Sequence, residues 1–168
     1  MQVSAADKDM ASPENHTLMF ALILLGAVAV VLAVALLQRL RGARYVLLGE
    51  IHDNAQQHEL RAALLRRLLS DGVPSVVVFE PIDREHSAAL GAAAIATPHD
   101  VEAVITAGGL DRAGWRWPLH RPVFVAALDG GAALAGGNLS RTEASRLVRG
   151  GVAQAREIAP QDQVDQPL

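Results

Sequence analysis

Tyr45-Val46-Leu47-Leu48-Gly49-Glu50-Ile51-His52-Asp53-Asn54 is a short apolar run that climbs to a glycine and then delivers a carboxylate, an imidazole and a second carboxylate. A helical pattern follows. This order predicts a strand ending in a polar turn, and open α/β sheets keep their ligands at such carboxyl ends. Glu50 and His52 are two apart, and residues at i and i+2 of an extended segment face one side. A carboxylate oxygen and an imidazole nitrogen so placed can ligate a divalent or ferric ion.

Moving toward the carboxyl terminus, Asp53 or Asn54 can cap the next helix, and Asp53 reads as a cap and not a ligand. Within Ala55 to Ser70, Leu60, Leu64, Leu65, Leu68 and Leu69 recur at helical spacing, and Arg61, Arg66 and Arg67 read as the solvated face. His58 lies in the first turns, as a surface histidine or pointing back over the strand end. Asp71-Gly72 stops the helix and Pro74 forbids its resumption. Ser75 to Phe79 reads as a second strand terminating in Glu80-Pro81, which repeats the first strand's design. The unit is β-α-β with parallel strands and a right-handed crossover, so Glu50 and Glu80 are expected on one sheet edge.

Arg84 to Ala96 is Ala-rich and reads as helix. Thr97-Pro98 resembles an N-cap with Pro at the first helical position. A short helix to Thr106 follows. Gly114-Trp115-Arg116-Trp117-Pro118 holds both tryptophans, read as core or lid residues, and His120 follows them. Val123 to Leu128 reads as a short helix. Ala132 to Ala135 is a weak third strand ending in Gly136-Gly137-Asn138, where Asn138 is either a site residue or a turn residue. Ser140 or Thr142 can cap a last helix near Glu143 to Arg149. His86 and His99 have no partner signature and read as exposed. The fold class is thus α/β, a small partly parallel sheet with flanking helices.

Toward the amino terminus, Leu18 to Leu37 has no charged residue and no Pro. At ~1.5 Å per residue it spans roughly 30 Å, the hydrocarbon thickness of a bilayer. Asp7, Lys8, Asp9 and Glu14 precede it in place of a signal peptide's basic region, so the expectation is an uncleaved transmembrane helix. Arg39, Arg41 and Arg44 follow it, and the positive-inside rule then places the following domain on the cytoplasmic side. The expected divisions are a disordered segment at 1–17, the transmembrane helix at 18–38, an α/β domain at 42–151 and a disordered tail at 152–168.

The whole chain bounds the chemistry. Its 168 residues suffice for one ordinary domain. A formal net charge of -3, with no basic cluster interleaved with aromatic residues, predicts no nucleic-acid partner. The absence of cysteine excludes disulfides, thiolate metal sites and a Cys nucleophile.

Several of these pieces together resemble the ChaN-like haem-binding uptake proteins, related to the broader Tiki superfamily. They are Val46 to Asn54 with Gln57-His58, then Val77-Val78-Phe79-Glu80 with Asp83-Arg84, then Gly114-Trp115-Arg116-Trp117 with Arg121-Pro122, and Asn138-Leu139-Ser140-Arg141. The resemblance runs from about Arg44 to Gly151. It implies an α/β fold, haem as cofactor and a role in haem or iron uptake, on an envelope face of the membrane. The implied site is Glu50, His52, His58 and Glu80, with Asn138 and Arg141 nearby. Glu50, His52 and His120 are the candidate metal ligands, and Arg141 is the candidate partner of a propionate. Where the family tends to have tyrosine after its tryptophans this chain has His120, and both residue types ligate haem iron.

The family's later strands and its second Gly-x-x-His motif have no counterpart in the 168 residues, so the resemblance implies a domain truncated at its carboxyl end. Such a domain would bind weakly or as an oligomer such as a homodimer. The alternative readings are a Tiki-like hydrolase, with Glu50, His52 and Glu80 holding a divalent metal, and a degenerate non-catalytic remnant. The missing histidine motif counts against the hydrolase, which favours a binding protein over an enzyme.

Overall fold

The structure is a computed structural model and describes residues 13–158. The stretches at 1–12 and 159–168, which hold most of the two segments expected to be disordered, lie outside the described residues. Contacts divide the chain into two units, one ending at Leu47 and the other beginning at Leu48.

The first unit is dominated by α1 (Pro13–Arg41), 29 residues long. It outruns the apolar stretch at both ends. Pro13 suits a first helical position, where no N–H is needed, and Arg39 and Arg41 in the last turn complement the helix dipole. No part of its most apolar window is buried, and its mean hydropathy there is 3.1. It is the one helix among the described residues long and apolar enough to cross a membrane.

Tyr45 to Leu48, expected as the first strand, pairs with no strand among the described residues. Tyr45 and Leu47 are exposed while Val46 and Leu48 are half-buried, the alternation of an extended segment. A β-prone run fixes that alternation but does not supply an edge to pair with.

The second unit is built on a two-stranded parallel sheet, β1 (Val76–Asp83) beside β2 (Ala133–Asn138). The parallel pair is therefore the second and third expected strands, and the crossover between them carries three helices. β1 does not stop at Glu80-Pro81. Pro81 cannot donate to the ladder, and the register slips between Phe79 and Asp83 instead, a bulge of the kind that tolerates Pro. Gly136 makes this possible. A Cβ there would lie 2.5 Å from the Asp83 carbonyl oxygen and 2.7 Å from that of Ile82.

α2 (Ala55–Leu69) is capped by Asn54, whose side chain accepts from the Gln57 N–H at 3.1 Å. Its buried stripe is His58, Ala62, Leu65 and Leu69. Leu60, expected on that stripe, is exposed, because the stripe is set by packing against a later helix and starts at the histidine. A 3₁₀ turn (Arg84–His86), α3 (Ser87–Ala96) and α4 (Val101–Ala107) follow. Asp100, not Thr97, caps α4, accepting from the Ala103 N–H at 3.0 Å. Thr97 instead closes α3, its hydroxyl donating to the Ala93 carbonyl, so Thr97-Pro98 is a stop and not a start.

α5 (Arg121–Asp129) packs on α2 and carries Phe124, which is fully buried. Its ring stacks on Phe79 of β1, with centroids 3.9 Å apart and planes at 6°. Trp117 meets the same ring edge-on at 6.0 Å. The core thus ties sheet, helix pair and tryptophan loop together. α6 (Arg141–Ile158) starts on Ser140 and is broken by Gly151, which has φ 58°, so helix extends beyond the expected boundary at 151.

Candidate functional site

Glu50, His52, His58 and His120 converge although they come from three segments. Glu50 and His52 sit on the turn before α2, which Asn54 and Gln57 fix from both sides, with Gln57 accepting from the Ile51 N–H at 2.7 Å. His58 stands on the buried stripe of α2. His120 is the residue that opens α5, at the end of a tight loop.

Glu50 is the hub, with its side chain 7% exposed. Its Oε1 accepts from His52 Nδ1 at 2.6 Å. Its Oε2 lies 2.9 Å from His58 Nε2 and 3.3 Å from the Arg61 guanidinium. The His58 contact is off the N–H axis, because Nε2–H donates to the His52 carbonyl at 3.0 Å. A carbonyl only accepts, so that bond assigns the His58 proton to Nε2 and leaves Nδ1 as a lone pair. By the same reasoning His52 carries its proton on Nδ1 toward Glu50, and its Nε2 is the free ligand atom.

His120 lies beyond, with Nε2 3.4 Å from Glu50 Oε1 and its ring 4.2 Å from that of His58. Glu50 Oε2, His58 Nδ1, both His120 nitrogens, and Arg61 Nε and Nη1 are buried without hydrogen-bond partners among the described residues. Buried polar atoms are nearly always satisfied, so orphans gathered in one place mark a site for a ligand or water. Glu50, His52 and His120 can each offer one atom within 4.8 Å of the others, as an ion would need.

Burial alone would raise the Glu50 pKa. The His52 hydrogen bond, with the His58, Arg61 and His120 charges behind it, outweighs burial and holds the carboxyl below its ordinary range. Burial is the main cause that lowers His120, and His58 adds to it against the pull of Glu50. His120 is therefore neutral near pH 7, the form that can ligate.

A pH dependence of stability follows. The unfolded chain binds a proton at His120 near pH 6.5 and the folded chain only lower. Stability should fall as pH drops below about 6.5. The Glu50 contribution has the same sign and is lost further down, below its ordinary 4.5. Melts of the full chain in detergent, followed by near-UV dichroism from pH 7.5 to 5, should give a falling midpoint. His120→Gln should flatten the upper part of that slope, and a midpoint that rises on acidification would contradict the assignment.

Residues 36–168 match the family described as haem-binding uptake, Tiki superfamily, ChaN. The chain belongs to this ChaN family. No curated protein and no solved structure matches it. The match reaches the end of the chain and covers every residue of the cluster.

Not all residues that the ChaN resemblance put forward join the cluster. Glu80 lies mid-strand in the register slip and is exposed, because the strand it was expected to face never enters the sheet. Asn138 ends β2 opposite Asp83, and its Oδ1 accepts from the Leu139 N–H, which is the turn role. Arg141 lines a separate surface cleft with Val148 and Arg149. Asp53 does not cap α2 but pairs with Arg116 across 3.1 Å. His86 is half-buried, grouped with Asp83 and Glu85.

Sequence reasoning missed Arg61, read as part of a solvated face but placed against Glu50. The available signal was its spacing, one turn beyond His58 on α2. Trp115 lies edge-on to His52 at 5.0 Å and to His120 at 5.7 Å, while Trp117 turns to the core. The two tryptophans therefore divide between cleft and core. A cleft of about 410 Å³ opens over His52 between Ile51, Asp53, Gly114, Trp115 and Arg116, within the range of about 300–1,000 Å³ usual for small-molecule sites.

Proposed function

We propose that this chain is a membrane-anchored haem-binding protein that takes part in haem or iron uptake or handling. The observation that carries the reading is His52. Its Nδ1 is held by Glu50, its ring is exposed in the cleft, and an apolar wall of Ile51 and Trp115 stands beside it. Imidazole is an established haem ligand, and a carboxylate on the far nitrogen fixes its tautomer and raises its basicity. The donor set thus fits haem iron, and the cleft offers a partly apolar lining for a porphyrin. Bound haem would supply the iron chemistry. The protein's part is to present His52, to keep His120 neutral and to set Trp115 beside the ligating ring.

Adding haemin to the full chain in detergent should shift the Soret band with saturation at micromolar haemin. An unchanged spectrum relative to empty micelles would sink the reading. The anchor is α1, whose uncovered apolar run, Leu18 to Leu37, spans ~30 Å, the hydrocarbon thickness of a bilayer.

The grouping of Glu50, His52 and His120 favours one further reading, a divalent-metal site of the hydrolase type. Arg61 weakens it. The guanidinium beside Glu50 offsets the only carboxylate of the group, and a hard cation gains most from unopposed negative charge. Stoichiometric metal in haem-free purified protein would favour the hydrolase.

A further inference from the structure

We infer that Arg116 is the residue that recognises the ligand's carboxylates, with Asp53 as an exchangeable placeholder. The inference rests on the haem reading above and adds to it which porphyrins the cleft selects. Arg116 and Asp53 belong to opposite walls of the cleft over His52, the tryptophan loop and the turn before α2. Arg116 Nη1 donates to Asp53 Oδ2 at 3.1 Å, and this contact joins the two walls.

Both side chains are more than half exposed. An ion pair in that setting is worth little, so a ligand carboxylate can replace Asp53 at small cost. What it gains is larger. A guanidinium can take a carboxylate in a bidentate fork, two hydrogen bonds where Arg116 makes one to Asp53. Arg116 also has φ 50°, a left-handed conformation that non-glycine residues seldom adopt. The loop holds it there through backbone bonds from Trp115 N–H to Asp111 and from Trp117 N–H to Arg112. The result is a loop backbone held so that Arg116 lines the cleft together with His52.

Charge balance supports the same assignment. Glu50 is already offset by Arg61 inside, and Asp53 would repel an anionic ligand if Arg116 were not there to pair with it. Arg141, the sequence candidate for this role, lines another cleft.

The test compares haemin with haemin dimethyl ester, which keeps the iron and ring but lacks both charges. Titrations use the full chain in detergent, corrected for partition into empty micelles. The wild type should bind haemin about tenfold more tightly than the diester, the size of one charged hydrogen-bonded contact. Arg116→Gln should erase that preference by weakening haemin alone, and Asp53→Asn should tighten haemin a few-fold without changing the diester. Equal weakening of both porphyrins in Arg116→Gln would mean a structural role and overturns the inference. A wild type with no preference, or a variant that keeps it, overturns it as well. A wild type that shifts neither porphyrin's Soret band refutes the haem reading itself, which separates the two failures.

Discussion

Replacing Phe124 by alanine is expected to cost the folded domain about 3–5 kcal/mol, the range for truncating a fully buried aromatic ring. The upper half of that range applies, because two elements close on this ring and a third packs on its helix. Phe79 stacks on it from β1, Trp117 meets it from the loop, and α2 packs on the helix that bears it. Each would lose dispersion contact on one side, and a stacked pair adds about 0.5–1.5 kcal/mol beyond area. A sheet of two strands cannot absorb such a loss by itself, since isolated two-stranded sheets are marginal in water. With total stability of about 5–15 kcal/mol for ordinary domains, the variant should populate unfolded chain at 37 °C. Near-UV dichroism and tryptophan fluorescence under denaturant would measure it, because α1 in detergent adds a far-UV signal that does not report on this domain. Phe124→Leu should cost clearly less. A shift under 1 kcal/mol for alanine would show that the ring does not hold sheet and loop together.

The same packing explains what could and could not be read from the chain alone. Local chemistry was legible. Asn54 as a possible cap, the helix over 55–70, the β character of Val76 to Phe79 and the short helix after Pro122 each follow from residues within a few positions. The proximity of Glu50 and His52 follows from spacing alone. Pairing was not legible, because it depends on which edges the tertiary fold leaves available. Tyr45 to Leu48 has strand composition and no partner strand among the described residues, and Pro81 sits inside a strand because a bulge tolerates it. Two misreadings about the site share a further cause. Arg61 was assigned by charge to solvent, although burial of His58 one turn earlier turns that side of α2 inward. Glu80 was assigned by analogy of position to Glu50, and the analogy failed when the first strand stayed unpaired. The family match, in contrast, was legible from motif order, because it needs no pairing to be known.

His52→Ala is expected to abolish the shifted Soret band, with haemin affinity reduced by at least about a hundredfold. Loss of an outer-shell partner alone costs about 10–100-fold, and a ligand should cost more. Glu50→Gln separates the ligand from its support. The glutamine carbonyl can still accept from His52 Nδ1–H, so the tautomer and the free Nε2 survive. The negative charge does not survive, and with it goes the donation that makes the imidazole a stronger base. The Glu50→Gln protein should therefore keep a shifted Soret band, bind about 10–100-fold more weakly and reduce at a more positive potential than wild type. A structural collapse of the cluster would instead remove the band in both variants. If His52→Ala keeps the band, His52 is not the ligand. His120→Ala then becomes the decisive variant, because His120 is the neutral buried imidazole nearest the same carboxylate oxygen, 3.4 Å from Glu50 Oε1.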